Sequence, residues 1–390
     1  MILTGYQPVW IAIGGADREK TEECYSANMP HRRRRVQRAL RGLAVAGCAL
    51  GSVVAADSAA ATTRAPSLDA HVVVATLPGT NCPAFPADNV WNTPVTNLPV
   101  NTHSTQWLAS MDSSSTYLHP DYGPSGDSRS PYGIPWTVVG EHTVFAHLTF
   151  QYASESDKSP YPLTANTPIE GGSDRHALMV DPHPSATSRA CTLFETYDTH
   201  FRPDGRSTAG SGAIWRLTSN NLRPANYTSA DAAGLPILPG LVNYDEVKSG
   251  AMDHAIRFTA QCTARSYIWP ARHQAGQSVS QCPPMGARFR LRASFTLPLS
   301  QCSAFCQTAL HTMKTYGLIL ADNGSNWYFQ GTADTRWTYG QVDQLKAIPA
   351  RAFVAVDESC LEVSSSSGQA RQPGTPQYRQ HCHLSTGESL

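Results

Sequence analysis

The chain has 390 residues, and its 30 Lys and Arg balance its 30 Asp and Glu. That balance excludes the basic excess expected of a general nucleic-acid binder. Charged residues make up only 15%, while Gly and Pro number 28 each. The composition predicts a mainly β protein, an antiparallel β-sandwich or barrel, jelly-roll-like, with a few short helices.

In chain order, residues 1–28 show no periodicity, and Met29 is the expected start of translation. From there a run of arginines (Arg32, Arg33, Arg34, Arg35), an apolar stretch at 42–56 and small residues ending at Ala61 predict a secretory signal peptide over 29–61. Arg33-Arg34-Arg35-Val36 also permits a twin-arginine route. Val45-Ala46-Gly47-Cys48 has the look of a lipobox, but the apolar run continues past Cys48, which favours cleavage downstream. The apolar run is short and glycine-rich for a membrane span, so no stable membrane insertion is expected after cleavage. A linker (62–81), one secreted domain (82–360) and a polar tail (361–390), which Cys382 can tether, complete the expected organisation.

Export leaves eight cysteines, Cys82, Cys191, Cys262, Cys282, Cys302, Cys306, Cys360 and Cys382. An even number in an oxidising compartment predicts disulfides. Cys302 and Cys306, four apart on an expected helix, suit separate partners or a metal better than a mutual bridge. No metal site and no cofactor is predicted.

Strands are expected at 133–139, 144–152, 177–181, 191–197, 213–217, 255–262, 265–269, 317–321, 327–330 and 352–356. Asp322-Asn323-Gly324 reads as the tight turn of a hairpin joining 317–321 to 327–330. The main helix is expected at 304–316, where Phe305, Ala309, Met313 and Tyr316 recur at helical spacing before Gly317. Shorter helical segments are expected at 107–111, 231–234, 244–249 and 342–348. The loop 112–131 carries His119, Asp121 and Tyr122, and loops of that length are often functional.

Phe85-Pro86-Ala87-Asp88-Asn89-Val90-Trp91-Asn92 resembles the opening of a family of secreted bacterial proteins with the pattern Phe-Pro-x-x-Asn-x-Trp-Asn. Further segments carry the resemblance: Leu-His-Pro-Asp-Tyr-Gly (118–123), Asp-Arg-His (174–176), Leu-Pro-Ile-Leu-Pro-Gly (235–240), Trp-Pro-Ala-Arg-His (269–273) and Ala-Asp-Asn-Gly-Ser-Asn-Trp-Tyr (321–328). It runs from about residue 85 to 357 and implies secretion and the extent of the domain. It implies no activity.

The densest group of ionisable and aromatic residues lies between 229 and 273. A two-residue turn at Thr263 and Ala264 would pair Phe258 with Trp269 and His254 with His273, placing both imidazoles beyond the Tyr267/Trp269 face. His254 and His273, with Asp174 and His176, are therefore the expected catalytic residues. Arg175, Arg257, Arg272, Tyr267, Trp269, His119, Asp121 and Asp322 are the expected substrate-binding residues. No Walker loop, dinucleotide fingerprint or His-Glu-x-x-His motif is present, and Ala209-Gly210-Ser211-Gly212 lacks the first glycine of a nucleophile elbow.

The expected function is a secreted carbohydrate-active enzyme that cleaves an extracellular polysaccharide or cell-wall glycan. A glycoside hydrolase would draw its two carboxyls from Glu170, Asp174, Glu195 and Asp322. A lyase would use His, Tyr and Arg, with Arg neutralising a uronate. The alternative is a non-catalytic carbohydrate-binding or envelope-associated protein.

Overall fold

Strand β8 of the computed structural model, Ile256–Ala260, is buried along its whole length. It sits inside a mixed sheet with a neighbour on either edge. The structure describes residues 76–125, 131–158, 160–183, 191–277 and 279–382. The expected start at Met29, the signal peptide, the linker up to residue 75 and residues 383–390 lie outside the described residues.

In chain order the first strands are β1 (His119–Asp121), β2 (Trp136–Val138), β3 (Thr149–Phe150), β4 (Ala177–Asp181), β5 (Thr192–Tyr197), β6 (Thr208–Ala209) and β7 (Ser211–Arg216). After β8 come β9 (Arg288–Leu291), β10 (Leu318–Asn323), β11 (Tyr328–Gln330) and β12 (Phe353–Val356). The helices are α1 (Ser104–Ser110), α2 (Tyr244–Ser249), α3 (Ala304–Thr315), α4 (Tyr339–Leu345) and α5 (Pro376–His381). Six strands form one sheet in the order β1-β11-β8-β10-β9-β12, four form a second in the order β2-β4-β5-β7, and β3 pairs with β6.

This corrects the expected antiparallel sandwich or barrel. The pairs β1–β11, β8–β10, β2–β4 and β3–β6 are parallel, and the rest antiparallel, so the protein is α/β with mixed sheets. Among the described residues there is neither a barrel nor a closed sandwich. The physical reason lies in burial. Strands covered on both faces read as continuous apolar runs, without the alternation that distinguishes pairing types. Parallel neighbours such as β8 and β10 need a long crossover, here residues 261–317 with α3 inside it.

Two expected hairpins are also corrected. Residues 265–269 do not pair with β8, because β10 and β11 already occupy both its edges. Within them only Tyr267 makes an isolated bridge, to Met285, and the segment lies in the loop closed by the Cys262–Cys282 disulfide. β10 and β11 are not hairpin partners either, since β8 lies between them. The connecting chain crosses the end of β8, with Gly324 N–H donating to Ala260 O at 3.1 Å and Trp327 N–H to Thr259 O at 3.2 Å. A Cβ on Gly324 would meet Thr259 Oγ1 at 2.9 Å, so the close crossing needs glycine.

The Phe-Pro-x-x-Asn-x-Trp-Asn segment is stapled to the sheet by buried polar groups. Asn89 accepts from Trp91 N–H at 3.1 Å, and Asn92 donates to Ala84 O and Pro86 O. Arg288, fully buried on β9, donates to Val90 O, Thr93 O, Tyr316 O and the Glu358 carboxylate. Its bonds to Thr93 O and Tyr316 O supply donors to main-chain carbonyls in the buried interior, where water cannot.

Four disulfides, Cys82–Cys191, Cys262–Cys282, Cys302–Cys306 and Cys360–Cys382, use all eight cysteines. They fit an oxidising, extracellular setting. No helix among the described residues is long and apolar enough to cross a membrane. The expectation of separate partners for Cys302 and Cys306 is corrected. Cys302 precedes the Ser303 N-cap of α3, so it is free of helical geometry and comes within 5.1 Å of Cys306 between Cα atoms. Within the polar segment after residue 360, α5 is tethered through Cys382, and Tyr378 is buried.

Glu195 on β5 is wholly buried and accepts from Ile237 N–H, Leu238 N–H and Trp215 Nε1–H at 2.9–3.1 Å. It anchors the Leu238–Gly240 turn. Burial pushes its pKa up to about 7 against these donors. Glu195→Gln puts an amide NH2 where only donors face it, and should cost about 1–3 kcal/mol in chemical denaturation.

Candidate functional site

A one-residue irregularity aims the central carboxyl. Along β10, Leu318 stands opposite Ile256, Ile319 opposite Arg257 and Leu320 opposite Phe258, but then Asp322 stands opposite Thr259. The bulge absorbs Ala321. Opposed residues share a face of the sheet, so Asp322 joins Arg257 and Thr259. In regular pairing it would lie on the face of Phe258, inside the core. On the other side of β8, Phe329 opposes Phe258, which puts Gln330 next to Arg257. Gln330 in turn pairs with Asp121 of β1. One polar row therefore crosses the sheet.

Arg257 is the hub of that row. Its Nε and Nη2 grip Asp231 at 3.0 and 2.9 Å, its Nη1 donates to Gln330 Oε1 at 2.8 Å, and Nη2 lies 3.6 Å from Asp322 Oδ2. Gln330 passes the network on to Asp121, whose other oxygen accepts from Tyr132 OH. The Asp231 side chain is wholly buried, whereas Asp322 is 24% exposed and within hydrogen-bonding reach of Asp231. Two carboxyls in contact cannot both ionise cheaply. Asp231 has the bidentate guanidinium, so the proton stays on Asp322. Burial first, then the Asp231 charge, raise the Asp322 pKa to about 8, opposed by Arg257 and His176.

A second pair flanks this one. His176 Nδ1 lies 2.5 Å from Glu170 Oε2, and its Nε2 lies 3.2 Å from Ala230 O. Both partners are acceptors, so the imidazolium, with two N–H donors, satisfies the site best. Burial works to lower the His176 pKa, but the Glu170 hydrogen bond and charge outweigh it and the net shift is upward. The corner leading into β4 holds Arg175 in the left-handed region at φ 48°. Such backbone is costly and recurs at functional sites. It is held here by Asp198 N–H to Asp174 O at 2.7 Å and by Arg175 Nε to Thr199 O at 3.0 Å.

Two cavities open on these groups. One of about 490 Å³ is lined by Tyr152, Glu155, Tyr197, Asp231 and His273 among others. Another of about 260 Å³ is lined by Asp121, Tyr132, Glu170, His176, Arg257 and Tyr328 among others. Asp174, Asp322 and Asn323 line both. Asn323 is fixed by Thr263 Oγ1–H at 2.6 Å and by its own bond to Ala275 O at 2.8 Å. Among the described residues no group of three or more His, Cys, Asp or Glu has a metal-holding arrangement.

The structure thus brings together Asp174, His176, Arg257, Asp121, Asp322 and His273 of the expected site residues. His119 stacks behind Tyr328 with ring centroids 4.0 Å apart. The others lie elsewhere. His254 is buried against Glu246 at 3.1 Å and Ala255 O at 2.8 Å, while His273 bonds Ala232 O at 2.8 Å. The expected opposition of His254 and His273 is corrected, since it needed the absent hairpin. Tyr267 bonds Asn226, Trp269 bonds Ser367 O, and Arg272 bonds Arg223 O, all fastening loops outside the lining of both cavities.

Neither a family model, a curated protein nor a solved structure matches the chain. The site therefore rests on its own geometry. Asp231, Glu155, Tyr132 and Gln330 are members that sequence reasoning missed. The only signal for Asp231 was its place in the dense 229–273 stretch, where it was expected in a helical turn.

Proposed function

We propose that this protein is an exported glycoside hydrolase in which Asp322 is the proton donor and Asp174 the second carboxylate. The observation that carries this reading is the position of the two residues on the wall shared by both cavities. Asp322 gives its proton to the glycosidic oxygen as the C–O bond breaks. Asp174 is exposed, with Ser173 Oγ–H donating to it at 3.1 Å. Its carboxylate either takes a proton from attacking water or attacks the anomeric carbon itself. Asp231 and Arg257 position Asp322 and keep it protonated. His176 and Glu170 line the smaller cavity beside them.

The lining chemistry favours hydrolysis over lyase chemistry. Among the described residues, the Arg and His side chains lining the cavities are Arg257, His176 and His273, and each is directed at a protein acceptor. None of these three is left to neutralise a uronate carboxylate. A purely binding role has no use for a proton held on an accessible carboxyl. The four disulfides support export through the signal at 29–61.

The test is a panel of neutral and uronate-containing polysaccharides incubated with the chain from residue 62 onward. Reducing ends should accumulate without unsaturated-product absorbance. Unsaturated product would replace this reading with a lyase, and no product from any polymer would replace it with a binding role. Activity should also fall as pH rises through about 8, because the raised Asp322 pKa defines the acid form that must donate. A pH–kcat profile on any cleaved polymer reads that limb.

A further inference from the structure

The two cavities meet at the proposed acid without being equivalent. The larger, about 490 Å³, falls within the roughly 300–1,000 Å³ that accommodates a drug-sized ligand, whereas the smaller falls just below it. Each has its own tyrosine pair. Tyr152, 46% exposed, and Tyr197 border the larger, while Tyr132, 52% exposed, and Tyr328 border the smaller. Exposed tyrosines on a monomeric surface are unremarkable singly. Here a pair stands on each side of the same carboxyl, and Tyr328 is held flat by its stack on His119. Amphipathic rings of this kind offer an apolar face with a polar rim, which suits the C–H faces of pyranose or furanose rings.

Carboxylates line both lobes. Glu155, Glu170 and Asp121 each already accept from a protein donor, so what they bring to the lobes is negative charge, which repels polyanions, whereas the exposed Asp174 keeps lone pairs for sugar hydroxyl donors.

The geometry points to a neutral glycan bound across both lobes, with two or more units in the larger and one in the smaller, so that cleavage falls inside the chain. This deepens the hydrolase reading and takes its bond-breaking point from it. A chain lying across the wall puts an internal linkage beside Asp322 and Asp174. An enzyme releasing single terminal units would need one lobe closed.

The test separates this inference from the reading beneath it. Purified Asp322→Asn protein is titrated by calorimetry with cello-, xylo-, manno-, arabino- and chito-oligosaccharides of one to six units. In at least one series affinity should rise about tenfold or more between one and three units. Tyr132→Ala and Tyr152→Ala, added singly, should each weaken the longer ligands by about tenfold. Both tyrosines are exposed, and circular dichroism checks that the variants fold. Affinity already complete with one unit, sensitivity to only one of the two tyrosines, or no binding in any series would overturn the two-lobed site. Wild-type protein is then incubated with the bound series. Internal cleavage supports both statements. Release of single terminal units overturns the internal cleavage, and binding without cleavage overturns the hydrolase while leaving the two-lobed site standing.

Discussion

Asp322→Asn should lower kcat on a cleaved polysaccharide by about 10²–10⁴-fold, the usual worth of a positioned general acid. The substitution keeps the size of the side chain and its contact with Asp231, so the fold should be unchanged. What it removes is the proton. That makes the loss dependent on the leaving group. A natural glycosidic oxygen departs as a strongly basic alkoxide unless protonated, whereas a dinitrophenolate needs no proton. The same variant should therefore lose far less activity on a dinitrophenyl glycoside of the cleaved oligosaccharide. Equal losses on the two substrates would mean that Asp322 serves in some role other than proton donation.

Arg257→Met should destabilise the protein by about 3–5 kcal/mol, because it strands a buried carboxylate without its partner. Arg257 and Asp231 are 2% and 0% exposed in their side chains, so water cannot replace the lost bonds. The cost belongs to the orphaned charge more than to the pair. Combining Arg257→Met with Asp231→Leu should accordingly recover much of the loss, a coupling that a double-mutant cycle in urea reads directly. The double variant should still be inactive, since nothing then orients Asp322. Full additivity of the two single losses would contradict the network drawn around Arg257.

Much of the secondary structure was legible. The helix at 304–315 follows from Phe305, Ala309 and Met313 at helical spacing, and from Gly317, which adopts φ 70° as a stop. The runs at 177–181 and 353–356 are strands as expected. Pairing was not legible. Ile256, Phe258 and Ala260 are wholly buried, but Arg257 between them is buried too, so alternation said nothing about which face met which neighbour. Asp322-Asn323-Gly324 is a strong local turn signal, and it does mark a reversal. The reversal passes over β8 to its far side instead of pairing adjacent strands.

The site was half legible for a related reason. Asp174 and His176 stand out because polar residues directly precede an apolar strand. Asp231 looks like any helix-initiating aspartate until Arg257 arrives from 26 residues away. The bulge at Ala321, which turns Asp322 out of the core, leaves no mark in the sequence. Its consequence is long-range, since only the register against Thr259 reveals it. His254 and His273 illustrate the converse: two suggestive residues whose proximity depended on one assumed turn.

The proposed mechanism requires Asp322 to hold its proton at neutral pH in an open cleft. A ¹³C NMR titration of protein labelled at aspartate carboxyl carbons tests it without knowledge of the substrate. One resonance should titrate near 8, and that resonance should be missing from Asp322→Asn protein. If every aspartate signal has finished titrating below about pH 5, within the ordinary carboxylate range, Asp322 is ionised when the enzyme works and cannot be its acid.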